Sequence, residues 1–219
     1  MTEPSDLLAA VLYRFAAADV VRKHQRSTVK LFTDLPAGKV LDVACGRGIF
    51  LELLRDAGIE ATGVDGHPDS VAECHDKGFP DVTQGDVLEF LRARVADGSR
   101  YAAVFCSHII EHLPGDRALE LVASSANVLA PGGRFVVITP NVANPVVWQG
   151  GFWLDPTHVR PYPRRLLAAL MEAAGLEVVR SYNDPGTRRP FLAIVPTLVR
   201  YGLGGLEGQD AIVVGRKPA

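Results

Sequence analysis

The run Val40-Leu-Asp-Val-Ala-Cys-Gly-Arg-Gly48, inside KVLDVACGRG at residues 39–48, decides the fold. An apolar strand broken by one acid, Asp42, runs into two glycines, and a helical apolar pattern begins at once over residues 48–57. Gly46 and Gly48 let the backbone turn tightly and approach a ligand closely. A dinucleotide fingerprint would need a third glycine at position 51, where Leu51 stands, and the lysine and hydroxyl of a P-loop are absent. The loop therefore suits a nucleoside without a pyrophosphate. Any strand-to-helix turn favours glycine, so the run gains its weight from the strand tips downstream of it.

Outward from this loop, strand and helix patterns alternate. Strands are expected at residues 39–44, 60–65, 81–85, 101–107, 134–139, 176–182 and 211–216, and helices at 87–94, 116–130, 163–174 and from 68. Such alternation predicts an α/β, doubly wound fold, a mostly parallel sheet covered on both faces. Ligands then bind beyond the carboxyl ends of the strands, in the loops after the first four. Residues 5–32 carry Leu7, Leu8, Val11, Leu12 and Phe15 at helical spacing, ahead of the alternating part. The expected organisation is a helical lid at 1–38 and one catalytic domain at 39–219. Alternation lapses at 141–162 and 183–208, and long irregular loops in a compact domain are often functional.

The second strand ends in Thr62-Gly-Val-Asp65. A carboxylate at that tip can accept both hydroxyls of a ribose. The third ends in Gly85-Asp86-Val87, where the acid can accept the exocyclic amine of adenine while Val87 packs on the ring. Either acid can instead cap the next helix. Asp42 is costly to bury unless it serves hydrogen bonds.

Taken together, LDVACGRG (41–48), GVDGHPDSV (63–71), QGDVLEFL (84–91), FCSHIIEHLPG (105–115) and LAPGGRFVVITPN (129–141) resemble the successive motifs of class I methyltransferases that use S-adenosylmethionine (SAM). The resemblance covers roughly residues 39–141. It implies a Rossmann-like seven-stranded sheet with its last strand antiparallel. It implies SAM contacts from Asp42, Ala44, Gly46 and Gly48 on the methionine side, from Asp65 and Gly66 at the ribose, from Asp86 and Val87 at the adenine, and from Ser107. Cys45 departs from the family, which often has glycine there.

The segment Ser107-His-Ile-Ile-Glu-His112 comes after the fourth strand, which in this fold lies beside the transferred methyl group. A hydroxyl acceptor must lose a proton, and a histidine is a suitable base. The expectation is that His108 or His158 removes it, with Glu111 and His112 supporting structure or cofactor, although His112 is itself a candidate. Asp155, His158 and Arg160 lie among Trp148, Phe152, Trp153 and Tyr162, and aromatic faces with a few polar groups suit a sugar. The same aromatics can simply be core. DPTHVRPY (155–162) is similar to a run in bacterial methyltransferases of polysaccharide and glycan biosynthesis, including actinobacterial enzymes that methylate mannose polysaccharides. Some sugar methyltransferases of this fold hold magnesium, and Asp155 with Glu111 could support such an ion.

The leading expectation is a SAM-dependent O-methyltransferase for a sugar hydroxyl in an oligo- or polysaccharide. The alternatives are an enzyme for a quinone or other small secondary metabolite, and a non-catalytic SAM-binding regulator. A net charge of -2 and the lack of an Asn/Asp-Pro-Pro-Tyr segment after the fourth strand speak against nucleic acid. No apolar run has the length of a membrane span, so no membrane partner is expected, and the acidic start of the chain makes the cytoplasm the expected compartment. Three cysteines with no CxxC pair predict neither a disulfide framework nor structural zinc. The apolar stretch at 191–203 packs either on the core or on a second subunit, which leaves a homodimer open.

Overall fold

The computed structural model describes residues 18–184 and 208–219. The first residues of the expected lid helix and the apolar stretch at 191–203 lie outside the described residues. Among the described residues, seven strands form one sheet: β1 (Val40–Val43), β2 (Ala61–Asp65), β3 (Thr83–Gln84), β4 (Tyr101–Ser107), β5 (Leu129–Pro140), β6 (Glu177–Asn183) and β7 (Asp210–Arg216). Their order is β3-β2-β1-β4-β5-β7-β6. The β1 pairings with β2 and β4, like β2 with β3 and β4 with β5, are parallel, whereas β7 runs antiparallel to both β5 and β6. The doubly wound fold and the antiparallel last strand are as the sequence and the resemblance led one to expect.

Helices α1 (Ala18–Arg26), α2 (Ile49–Asp56), α3 (Pro68–Asp76), α4 (Val87–Ala96), α5 (Gly115–Val128) and α6 (Arg164–Ala173) accompany the sheet. One apolar layer joins Leu41, Val43, Val104 and Val137 to Leu88 and Leu91 of α4 and Leu121 and Val122 of α5. The other joins Val40, Phe105, Val136 and Ile212 to Phe50 and Leu54 of α2 and to Leu31 and Phe32. The strand interiors are therefore buried on both faces, which is why they read as near-continuous apolar runs. No helix among the described residues is long and apolar enough to cross a membrane.

Three element boundaries differ from the expectation for physical reasons. The periodic helical pattern of the N-terminal segment breaks after α1 into a short 3-10 turn, Val29–Phe32, which drops Leu31 and Phe32 into the core. The expected helix at 116–130 ends at Val128, and β5 begins directly at Leu129, two residues before Pro131. A register shift between Tyr101 and Ala103 against β5 absorbs the Ala-Pro-Gly-Gly run, with Gly132 at φ +76°. The irregular stretch after β5 is not featureless, since Val147–Gly151 forms a wide π-helical turn and Phe152–Leu154 a tight 3-10 turn.

Cys45, the departure from the expected glycine, is accommodated from across the sheet. It is buried, and a Cβ added to Gly63 of β2 would stand 2.7 Å from its sulfur and 2.8 Å from its own Cβ. Gly63→Ala should therefore cost about 1–3 kcal/mol, the usual range for overpacking. Urea unfolding of Gly63→Ala with and without Cys45→Gly checks this. Most of the loss should vanish in the double variant, and an equal loss in both backgrounds would place the strain elsewhere.

Candidate active site

Parallel pairing puts the ends of β1, β2, β3 and β4 on one edge of the sheet, and the loops expected to bind a ligand converge there. The loop after β1 is held in left-handed backbone at Ala44 (φ +59°), Gly46 (φ +53°) and Gly48 (φ +74°). Gly48 admits no side chain, because a Cβ would meet Cys74 Sγ at 2.9 Å. A Cβ on Gly46 would meet nothing within 4 Å, so the backbone there borders open space. Ala44 has no such freedom, and a non-glycine residue in this region marks a conformation imposed by its surroundings. Part of what imposes it is Asp65: its Oδ2 accepts the Gly46 N–H at 2.7 Å and its Oδ1 accepts the His67 N–H at 2.9 Å. Each oxygen keeps a further lone pair for a ligand hydroxyl.

Asp42 is 3% exposed. Burial first, then the neighbouring Asp65 and Cys74, push its carboxyl well above the usual range. A cationic ligand would stabilise the ionised form. The Asp42, Gly46 and Asp65 arrangement thus fits a cationic nucleoside such as SAM. Asp86 is more committed than a free adenine acceptor. Its Oδ1 accepts the N–H groups of Leu88 and Glu89 at 2.9 and 3.1 Å, and its Oδ2 receives Arg117 Nη2 at 2.7 Å. It is the cap of α4, the second of the two readings its position allowed. Gly66 lies just past the β2 tip, Val87 opens α4 and Ser107 ends β4.

On the other side of β4 the chain turns through Ile110–His112. Glu111 is fully buried. Its Oε2 accepts the Thr139 hydroxyl at 3.0 Å, its Oε1 lies 3.3 Å from His108 Nδ1, and its backbone carbonyl accepts the N–H groups of Val159 and Arg160 at 2.8 and 3.3 Å. One residue therefore brings the β4 loop, the end of β5 and the 155–160 loop together.

The three candidate histidines differ sharply. His108 has left-handed backbone (φ +53°), and its ring lies between two acids, with Nε2 3.5 Å from Asp210 Oδ1 and Nδ1 beside Glu111. Its side chain is 46% exposed, and Asp210 and then Glu111 raise its pKa well above the ordinary histidine value. His158 is 8% exposed in its side chain, and its Nδ1 bonds the Phe152 carbonyl at 2.6 Å. His112 is partly exposed, and burial, with a smaller push from His158, lowers its pKa. Its Nδ1 lies 2.8 Å from Thr157 Oγ1. Asp155 Oδ1 accepts both the N–H (2.8 Å) and the hydroxyl (2.6 Å) of Thr157. Those bonds outweigh the effect of burial and hold the Asp155 carboxyl below its usual range.

The expected aromatic platform divides. Phe152 and Tyr162 are core residues at 1% and 2% exposure, while Trp148 and Trp153 are exposed, with ring centroids 5.6 Å apart. The expected metal pair divides too. Glu111 converges with His112 and His158, whose donor atoms with its own lie within 4.8 Å of one another. Asp155 is not in that group. Two imidazoles and one carboxyl do not fit magnesium, which demands oxygen ligands. Four contributors escaped the sequence reading: His24, Thr139, Thr157 and Asp210. Only Thr157 left a local signal, since Asp-x-Thr is a turn in which the acid binds the backbone two residues on.

With this geometry in view, comparison with known proteins is direct. The sequence profile of a family described as "Methyltransferase domain" matches residues 13–181. A curated relative, the ubiquinone biosynthesis O-methyltransferase of Xanthomonas oryzae pv. oryzae, is 32% identical over 147 residues, which is 62% of this chain and 60% of that protein. The chain thus matches less than two thirds of that relative's length. The fold is shared with a SAM-dependent methyltransferase from Archaeoglobus fulgidus (TM-score 0.77, 24% identity, 94% of this chain and 99% of that one). It is also shared with magnesium protoporphyrin IX methyltransferase from Synechocystis PCC 6803 with bound SAM (TM-score 0.60, 16% identity, 90% and 79%).

The acids around His108 have a measurable consequence. A histidine whose folded pKa is raised stabilises the fold below its unfolded pKa of about 6.5, and that stability fades as pH rises through the folded value. Asp210 also raises the pKa of His24 on α1. Unfolding free energy measured against pH should therefore decline above about 6.5, and less steeply in His108→Gln. Identical slopes in the two proteins would show that folding does not raise the His108 pKa.

Proposed function

The chain belongs to the methyltransferase domain family, and on that footing we propose that it is a SAM-dependent O-methyltransferase acting on the hydroxyl of a small molecule. The observation that carries the reading is His112: a partly exposed imidazole with a lowered pKa, just past the end of β4, one of whose nitrogens already has a fixed partner. A neutral imidazole is the form that can take a proton. His108, whose ring lies between two acids that raise its pKa, is poorly suited to that task, and the buried His158 little better. The base therefore moves from the pair expected from sequence to His112.

SAM, when bound, supplies the electrophilic methyl group. Asp65 would accept its ribose hydroxyls, the Gly46 backbone would border it, and Asp42 would stabilise its positive charge. His112 Nε2 takes the acceptor proton, and alignment of the acceptor supplies much of the remaining acceleration. A cleft of about 630 Å³ lies at the end of β5 and start of β7, lined by Pro140, Val146, Val147, Leu154 and Asp210. Its lining includes none of the groups assigned to SAM or to proton removal, so the small-molecule class rests on the relatives. Relatives named for ubiquinone biosynthesis support the same class. A sugar acceptor is the second reading, supported by the exposed Trp148 and Trp153 rings. The N-terminal segment is read as a lid over the cleft, with His24 of α1 3.5 Å from Asp210 in support.

Turnover of SAM against a panel of phenols and oligosaccharides tests the acceptor, and preference for the oligosaccharides would favour the second reading. With the best acceptor, His112→Ala should lower kcat by about 10²–10⁴-fold, the usual contribution of a general base, with SAM affinity nearly unchanged. Asp65→Ala should weaken SAM binding by about 1–3 kcal/mol in calorimetry through lost charge-assisted bonds. Full turnover by His112→Ala would remove it as the base.

A further inference from the structure

We propose that Thr157 is a positioning residue that fixes the tautomer of His112, passing the hold of Asp155 to the imidazole across its hydroxyl. The proposal rests on the reading in which His112 takes the acceptor proton, and it adds the device that leaves the correct nitrogen bare.

The direction of each hydrogen bond is set by the protons each group carries. An ionised carboxylate only accepts, so the 2.6 Å approach of Thr157 Oγ1 to Asp155 Oδ1 requires the hydroxyl proton to lie between them. A hydroxyl has one proton. Its oxygen can then meet His112 Nδ1, 2.8 Å away, only by accepting a proton from it. Nδ1 therefore carries the hydrogen and Nε2 carries the lone pair. The arrangement is rigid, because the Thr157 N–H also binds Asp155 Oδ1 at 2.8 Å.

A local turn explains part of this geometry. Asp155 and Thr157 would pair in any turn of the Asp-x-Thr type. What the turn does not explain is the second contact of the same hydroxyl, to a ring 45 residues away in sequence. That contact stands because the Glu111 carbonyl pins Val159 and Arg160 against the loop that carries His112. The other groups around the ring are Glu111 and His158. His158 shows the same logic independently: its Nδ1 must donate to the Phe152 carbonyl, which only accepts.

Long-range proton–nitrogen correlation spectra of imidazole nitrogens, with the His112 signals identified through His112→Gln, read the tautomer without any acceptor. The folded wild type should show Nδ1–H with bare Nε2. Thr157→Val, which removes only the hydroxyl, should give a mixture of tautomers, and Thr157→Ser should restore the wild-type spectrum. Asp155→Ala frees the hydroxyl to donate to Nδ1 and should shift the ring toward Nε2–H, which keeps the idea testable if Thr157→Val does not fold. In turnover, Thr157→Val should lose about 10–100-fold in kcat, the loss seen when a metal-bound histidine is deprived of its outer partner. SAM affinity and acceptor KM should hold, and Thr157→Ser should recover kcat. An unchanged His112 tautomer in both Thr157→Val and Asp155→Ala would overturn the proposal. If the tautomer responds while His112→Ala keeps full turnover, the positioning stands and the assignment of His112 as base falls.

Discussion

The site depends on one buried carboxyl. Glu111 has no contact with solvent, yet its side chain and its carbonyl reach β5 through Thr139, His108 on its own loop, and the 155–160 loop through Val159 and Arg160. A polar group so deep is tolerated only when its hydrogen bonds are made inside the protein. The carboxyl accepts from Thr139 of β5 and the carbonyl from the 155–160 loop, so segments distant in sequence meet at this one residue. The positions of His108, His112 and Asp155 stem from this requirement more than from any local preference.

The sheet edge was legible in the sequence because its determinants are local. Gly46 and Gly48 announce a turn that other residues disfavour, Asp65 ends an apolar strand, and Asp86 stands directly before an apolar helical pattern. Each signal lies within a few residues of the feature it marks. The choice between ligand acid and helix cap at Asp86 was open for the same reason: both readings put an acid at the same place, and only Arg117, 31 residues away, shows how the second oxygen is used.

The reaction side was harder to read, since its chemistry is set by contacts across the chain. Nothing near His108 in sequence reveals that Asp210 faces it from β7, which reverses the balance that made it an attractive base. Nothing near His112 reveals Thr157. Tyr162 and Phe152 looked like faces for a ligand because an aromatic residue in a loop carries no mark of burial, whereas both close the core. Antiparallel β7, placed between β5 and β6, is what delivers Asp210 to the edge where the parallel strands end.

Asp42 carries a kinetic implication. A carboxyl raised by burial favours a ligand that brings positive charge, and methyl donation from a sulfonium leaves a neutral thioether. Under the proposed reaction, the substrate brings a sulfonium as well as an ammonium to offset the ionisation of Asp42, and the spent product brings the ammonium alone. The electrostatic preference weakens as the reaction completes, so under that reaction the residue would favour fresh substrate over spent product.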